Sequence, residues 1–180
     1  MRVAFDVDGV LRDLMAAYLP HVQRSRDEVV RYSSAIEFAG GLDQFLDLLD
    51  HHDCWGSAPA HPHYLGLAKM VEASGHAVVI ATAITTEVGR QSTLRWLCNQ
   101  DVTYDELHFC VEKLMVRFDA IIEGDPKMAY AAACAGRAAF LVNRPWTADV
   151  DVKHINLFKL PPDEEALDVV MDVLACRAQG

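Results

Sequence analysis

Asp6 and Asp8 flank Val7 at the end of the apolar run Val3-Ala4-Phe5, and Gly9 follows at once. Two carboxylates this close repel each other, and the pair is tolerated where a cation or a shared proton offsets the charge. Were the strand to continue, both would point to one side. A turn at Gly9 lets them spread around a single site instead. The same four residues also suit a plain strand-end turn, because Asp and Gly both favour turns. Other reactive side chains follow later apolar runs. Thr82 comes after Val78-Val79-Ile80-Ala81, and Glu123-Gly124-Asp125-Pro126 comes after Ala120-Ile121-Ile122, with Lys113 shortly before that run. Taken singly, Thr82 reads as a helix cap and Lys113 as a solvated surface charge.

The elements that must position these residues alternate between two periodicities. Apolar runs at 3–5, 77–81, 120–122 and 138–142 read as buried parallel strands, and 107–110 and 154–157 as shorter ones. Helical patterns lie between them, at 63–73 closed by Ser74-Gly75, at 87–99, at 127–135 ahead of Gly136, and at 163–176. This alternation predicts an α/β fold, a doubly wound parallel sheet, with ligands at the carboxyl ends of the strands. Between the first and second strands the helical pattern at 11–30 is interrupted by Pro20. A second amphipathic stretch, 42–49, follows Gly40-Gly41, and 51–63 reads as loop. So long an insertion exceeds a simple crossover. It predicts a helical cap over 14–70, with 1–13 and 71–180 forming the core.

Composition narrows the function. The chain has 180 residues, 52% of them hydrophobic, and a formal net charge of −10. That suffices for a substantial core, and so acidic a surface disfavours a nucleic-acid polymer as partner. A small anionic substrate is compatible, since a bound cation reverses the local field. Five scattered cysteines without a CxxC pair read as reduced thiols in the cytoplasm. No apolar run approaches the roughly 20 residues of a membrane span, and Met1-Arg2 leads straight into the first strand rather than into a signal peptide. His51, His52, His61 and His63 match no standard zinc spacing and read as loop histidines.

Phe5-Asp6-Val7-Asp8-Gly9-Val10-Leu11 closely resembles the first motif of the haloacid dehalogenase (HAD) superfamily. Thr82, Lys113 and the acids Glu123 and Asp125 resemble its later motifs, in order, and the resemblance runs from residue 3 to about 147. It implies an HAD-like fold and a Mg²⁺-dependent phosphohydrolase. Asp6 would be the nucleophile, and Asp8 the general acid and then base, its main-chain carbonyl also helping to hold Mg²⁺. Thr82 would donate to the transferring phosphoryl group, and Lys113 would offset charge between Asp6 and phosphate. A hard, oxygen-only site of Asp6, Asp8 and one later acid suits Mg²⁺. The fourth motif departs from the usual adjacent acids, because Gly124 takes the second acid's place. One register makes Glu123 the metal ligand and another makes it Asp125, with Asp125 slightly favoured.

Within that superfamily, Cys54-Trp55-Gly56-Ser57, Asp8-Gly9-Val10-Leu11-Arg12-Asp13 and Leu141-Val142-Asn143-Arg144-Pro145-Trp146 resemble the 5′(3′)-deoxyribonucleotidases. This implies a (deoxy)nucleoside monophosphate as substrate, with Gly9, Ala83 and Trp55 around it and Trp55 as a platform for the base. Trp55 also suits a packed cap residue, as do Phe38 and Phe45. Two departures separate this chain from those enzymes: Cys54 stands at their second aromatic, and Ala83-Ile84 follows Thr82 where they carry Ser-Pro. Two other readings compete: an HAD phosphatase for another small ester or a phosphorylated nucleic-acid end, and a catalytically quiet HAD-like binding module. The oligomeric state is open at this level.

Overall fold

A computed structural model describes residues 1–161 and 165–178. The apolar runs become six parallel strands: β1 (Arg2–Phe5), β2 (Ala77–Thr82), β3 (Glu106–Phe109), β4 (Ala120–Glu123), β5 (Ala138–Leu141) and β6 (Leu157–Lys159). They form one sheet in the order β3-β2-β1-β4-β5-β6. Their near-continuous Val, Ile and Ala content follows from burial on both faces. Val3, Phe5, Val78, Ile80, Ile122 and Phe140 pack on one face, and Ala4, Val79, Ile121, Ala139 and Leu141 on the other. The expected last strand at 154–157 is displaced: pairing begins at Leu157. Ile155 is 88% exposed, whereas Leu157 is buried and Phe158 stacks on Phe140 at 5.3 Å. Side-chain burial therefore sets the register.

Among the described residues the α-helices are α1 (Leu14–Tyr18), α2 (Tyr32–Ala39), α3 (Leu42–His51), α4 (Cys54–Ser57), α5 (Pro62–Ala73), α6 (Glu87–Asn99), α7 (Pro126–Cys134) and α8 (Glu165–Ala178). The start of the expected closing helix, at residues 163 and 164, lies outside the described residues. Pro20 acts as expected: α1 ends at Tyr18, and Leu19–Val22 forms a tight 3₁₀ turn. Within the expected loop 51–63, Cys54–Ser57 makes one helical turn. Gly75 closes α5 at φ +77°, with His76 N–H bonded to the Val71 carbonyl at 3.2 Å.

The expected cap at 14–70 divides in two. Leu14, Met15, Tyr18, Phe45, Leu49, Cys54 and Trp55 form a separate cap core, joined by Ile84 and Trp146 from the loops above the sheet. Helix α5 instead buries Leu67, Ala68 and Val71 against the sheet, so it belongs to the α/β layer. An amphipathic helix looks the same in sequence whichever core it covers. The two chain crossings into the cap pair with each other: Asp13 N–H donates to the Pro59 carbonyl and His61 N–H to the Leu11 carbonyl, each at 2.8 Å. Among the described residues, no helix is long and apolar enough to cross a membrane.

Candidate active site at the carboxyl end of the sheet

In the parallel register Phe5 lies opposite Ile80 on β2 and Ile122 on β4. The residues that follow those strands are therefore neighbours: Asp6 sits centrally, with Thr82 and Glu123 at the flanking strand ends. This is where parallel α/β sheets place ligands, because strand ends and loops converge there. Lys113, on a 3₁₀ turn at Lys113–Met115, enters the gap. Its ammonium donates to Asp6 Oδ1 at 2.9 Å and to Glu123 Oε2 at 2.8 Å. Glu123 is fully buried, and its other oxygen accepts from the Gly124 and Asp125 amides at 2.9 and 3.0 Å.

The electrostatics of this trio are unbalanced. Burial pushes Asp6 up to about 7, the Glu123 carboxylate adds to the rise, and Lys113 only partly opposes it. Burial alone would lower Lys113, but Asp6 and Glu123 outweigh it and hold the ammonium charged. Two carboxylates thus share one cation, which leaves room for a further positive charge. Thr82 is fully buried and its hydroxyl has no hydrogen-bond partner among the described residues. An unpaired buried hydroxyl is costly unless something arrives to accept from it.

Asp8 follows a different logic. Its Oδ1 accepts from Arg12 Nε at 2.6 Å. Burial raises the Asp8 carboxyl and Arg12 pulls it back, for a net rise. Burial therefore outweighs the Arg12 pairing and makes Asp8 hold its proton more tightly than a free carboxyl does. Gly9 adopts φ +82°, which a side-chain-bearing residue rarely adopts, and a Cβ there would come 3.2 Å from the Trp146 ring. Its N–H donates to the Arg12 carbonyl at 2.8 Å, and its carbonyl accepts from Arg144 Nε at 2.7 Å. The turn carrying Asp8 is thereby fixed to the loop after β5.

The remaining expected residues are placed less uniformly. Ala83 is exposed just past β2. Trp55 is 3% exposed, and its indole N–H donates to Asp50 Oδ1 at 2.7 Å. Asp50 also accepts from Thr86 at 2.9 Å, so the ring is packed where cap meets core instead of facing a cleft. Asp125 points outward as the N-cap of α7, accepting from the Lys127 amide at 2.9 Å. The fourth-motif acid brought to Asp6 is therefore Glu123.

Two residues without an assigned role in the sequence reading belong here. Arg12 is fully buried. It bonds Asp8, the Trp55 carbonyl and Thr93 Oγ1, and its guanidinium lies over the rings of Trp55 and Trp96 at 5.4 and 5.6 Å. The signal available in sequence was its place four residues after Asp8. Tyr32 opens α2 and meets Trp146 edge-on at 5.8 Å. Burial of its hydroxyl, then the charges of Asp8 and Asp6, push that hydroxyl upward. The residue as a whole remains 36% exposed. Nothing in sequence distinguishes it from other cap aromatics.

Whether these residues suit Mg²⁺ can be judged from the donors left over. Among the described residues, no group of three His, Cys, Asp or Glu side chains gathers as a metal site. Glu123 is committed to Lys113 and two amides, and Asp125 to its helix. Asp6 and the Asp8 main-chain carbonyl remain as hard oxygen donors. Gly124 backs onto that carbonyl, where a Cβ would lie 3.6 Å from the oxygen. Mg²⁺ often takes one or two protein ligands and completes its shell with water and substrate phosphate, so this sparse set fits it.

No family model matches the chain, and no curated protein matches it. Solved structures do. A haloacid dehalogenase-like family hydrolase from Xanthomonas campestris superposes with TM-score 0.63 at 13% identity, covering 100% of this chain and 98% of that one. D,D-heptose 1,7-bisphosphate phosphatase from Burkholderia thailandensis gives 0.56 at 15% identity, covering 96% and 97%. An HAD family hydrolase from Deinococcus radiodurans, with bound phosphate and sodium, gives 0.59 at 13% identity, covering 94% of each chain. At these identities the likeness establishes architecture: the chain has the α/β fold shared by the haloacid dehalogenase-like hydrolases.

Proposed function

We propose that this protein is a Mg²⁺-dependent phosphomonoesterase that uses Asp6 as nucleophile and acts on small phosphate esters, (deoxy)nucleoside monophosphates foremost. The observation that carries the reading is Lys113 bridging Asp6 and Glu123 beside the unpartnered Thr82 hydroxyl. The trio has a nucleophile, too little positive charge of its own, and a spare donor aimed at no protein atom. The same strand order serves dinucleotide binding in other proteins, but there a glycine-rich turn follows the first strand. Here that turn is Asp6-Val7-Asp8-Gly9, which offers carboxylates where the other offers bare amides.

In the proposed reaction Asp6 attacks phosphorus, and the bond to the ester oxygen breaks. Asp8 gives its proton to the departing alkoxide, so an alcohol and an aspartyl-phosphate result. Water then attacks phosphorus, Asp8 takes the water's proton, and Asp6 leaves as carboxylate with inorganic phosphate as product. Thr82 donates to a phosphoryl oxygen, and Lys113 holds Asp6 in place and offsets charge. Asp6 and the Asp8 carbonyl would hold Mg²⁺, which when bound would supply the missing positive charge. For the base, the partly exposed Tyr32 ring replaces Trp55 as the aromatic surface over the site, because Trp55 is packed away. A panel of monophosphates tests the substrate class. Nucleotides should be preferred, with Tyr32→Ala raising KM several-fold while Trp55→Phe changes it little. Sugar phosphates turning over faster would overturn the nucleotide reading alone. The missing third acid at Gly124 favours a second reading, a catalytically quiet phosphate-binding module, for which no panel member would turn over.

A further inference from the structure

Four buried side-chain nitrogen or oxygen atoms lack a partner among the described residues. One is the Thr82 hydroxyl. The other three are Arg144 Nη2, the Tyr64 hydroxyl and His61 Nε2, and they lie together at the base of the cap. The Arg144 guanidinium sits 5.3 Å over the Tyr64 ring, and the His61 ring meets Tyr64 edge-on at 6.4 Å. Arg144 uses its other donors on main-chain carbonyls, Gly9 at 2.7 Å and Asn143 at 2.9 Å. Among the described residues no carboxylate lies within ion-pair distance of it. The nearby Asp13 is already bonded to Arg26. A largely buried guanidinium without a counter-ion is an expensive arrangement, and an anion would relieve it.

The surroundings suit an oxyanion specifically. Arg144 and Arg26 together outnumber the single carboxylate of Asp13, so the pocket is locally cationic in a chain of net charge −10. Burial, then Arg144, push His61 down to about 4, so its ring is neutral at pH 7 and adds a hydrogen bond without a second charge. Arg144 and the Tyr64 hydroxyl supply donors, and His61 does so in one tautomer. Arg144 also grips the Gly9 carbonyl, so this cluster adjoins the turn that carries Asp8 while presenting its own set of unpartnered atoms.

We propose that His61, Tyr64 and Arg144 form a second anion site, at the hinge of the cap, that takes a small oxyanion such as free phosphate or a carboxylate group. An occupant there ties α5 to the loop after β5, and through Gly9 to the turn that carries Asp8.

The test follows the His61 ring resonances by NMR in the full chain, assigned with His61→Gln, at constant ionic strength. Sodium phosphate is titrated in one arm and sodium acetate in the other, so the two sources of oxyanion are told apart. At least one arm should shift His61 saturably. That shift should persist in Asp6→Asn, and its half-saturating concentration should rise about tenfold or more in Arg144→Gln, as loss of a charge-assisted bond implies. No saturable shift in either arm would mean that water alone fills the pocket, and would overturn the proposal. So would a shift unchanged by Arg144→Gln, or one lost with Asp6→Asn, which would place the anion in the phosphoryl site. Should Arg144→Gln fail to fold, Tyr64→Phe decides: it removes a hydroxyl with no protein partner, and unchanged affinity overturns the site.

Discussion

Arg12 and Lys113 are both buried cations paired with a carboxylate of the candidate site, yet their surroundings differ. Arg12 is satisfied on every side, with Asp8, the Trp55 carbonyl and Thr93 on its nitrogens and tryptophan rings on its faces. Lys113 answers to two carboxylates at once, and the neighbouring Thr82 hydroxyl has no partner. A closed account around Arg12 describes architecture, the joint between cap and core. The surplus negative charge around Lys113 describes a place prepared for something else. Residual imbalance separates the two regions better than burial does, since both cations are almost fully inside.

Substitutions that neutralise each cation should break the comparison most visibly. Lys113→Met leaves Asp6 and Glu123 facing each other unpaired, so phosphate release should vanish and stability fall by about 3–5 kcal/mol. Arg12→Met should cost a similar amount, because Asp8 loses its partner, with Tm lower by on the order of 10 °C. The variants then part at the residual activity of whatever stays folded at low temperature. Arg12→Met should retain measurable turnover and Lys113→Met none, and equal losses would erase the distinction.

Thr82→Val isolates the unpartnered hydroxyl. Its removal leaves no protein donor or acceptor unmatched, so Tm by calorimetry should stay within about 2 °C. The rate should fall about 100-fold, the usual loss for one donor to a transferring group. A large drop in Tm would mean that the hydroxyl supports structure.

The smallest effect is on stability and depends on pH. Asp6 titrates from its ordinary value, 3.8, when the chain is unfolded, and is raised to about 7 when folded. The folded state therefore binds the proton more tightly. The cost of burying the charge is absent below about pH 4, grows as pH rises towards 7, and is full above it. Asp6→Asn removes that cost, so its Tm measured without metal should exceed that of wild type by several degrees at pH 8 and converge with it near pH 4. No difference at any pH would mean that Lys113 fully compensates the burial of Asp6, and the opposite trend that it outweighs it.

Sequence made parts of this legible because they sit where periodicity changes. Asp6, Thr82 and Glu123 each end or follow a continuous apolar run, and the alternation of runs with helices gave the α/β architecture that the fold displays. Arg12 was not legible as a buried joint: its pairing with Thr93 and its tryptophan sandwich depend on segments some 40 to 80 residues away. Tyr32 and the Arg144–Tyr64–His61 pocket are hidden for the same reason. Glu123 and Asp125 part company at the strand end, where β4 runs to Glu123 and Asp125 caps the start of α7, a boundary that the sequence leaves open. The β6 strand and the cap boundary needed tertiary packing, since a three-residue edge strand and an amphipathic helix carry no address of their own.

The most direct test of the central claim is chemical trapping. Wild-type protein mixed with Mg²⁺ and a monophosphate substrate is quenched in acid within milliseconds, digested, and searched by mass spectrometry for covalent phosphate. Phosphate on the peptide carrying Asp6, absent from Asp6→Asn and accumulating in Asp8→Asn, is the expected result. Turnover with no adduct, and an Asp6→Asn variant that releases phosphate as fast as wild type, would contradict it.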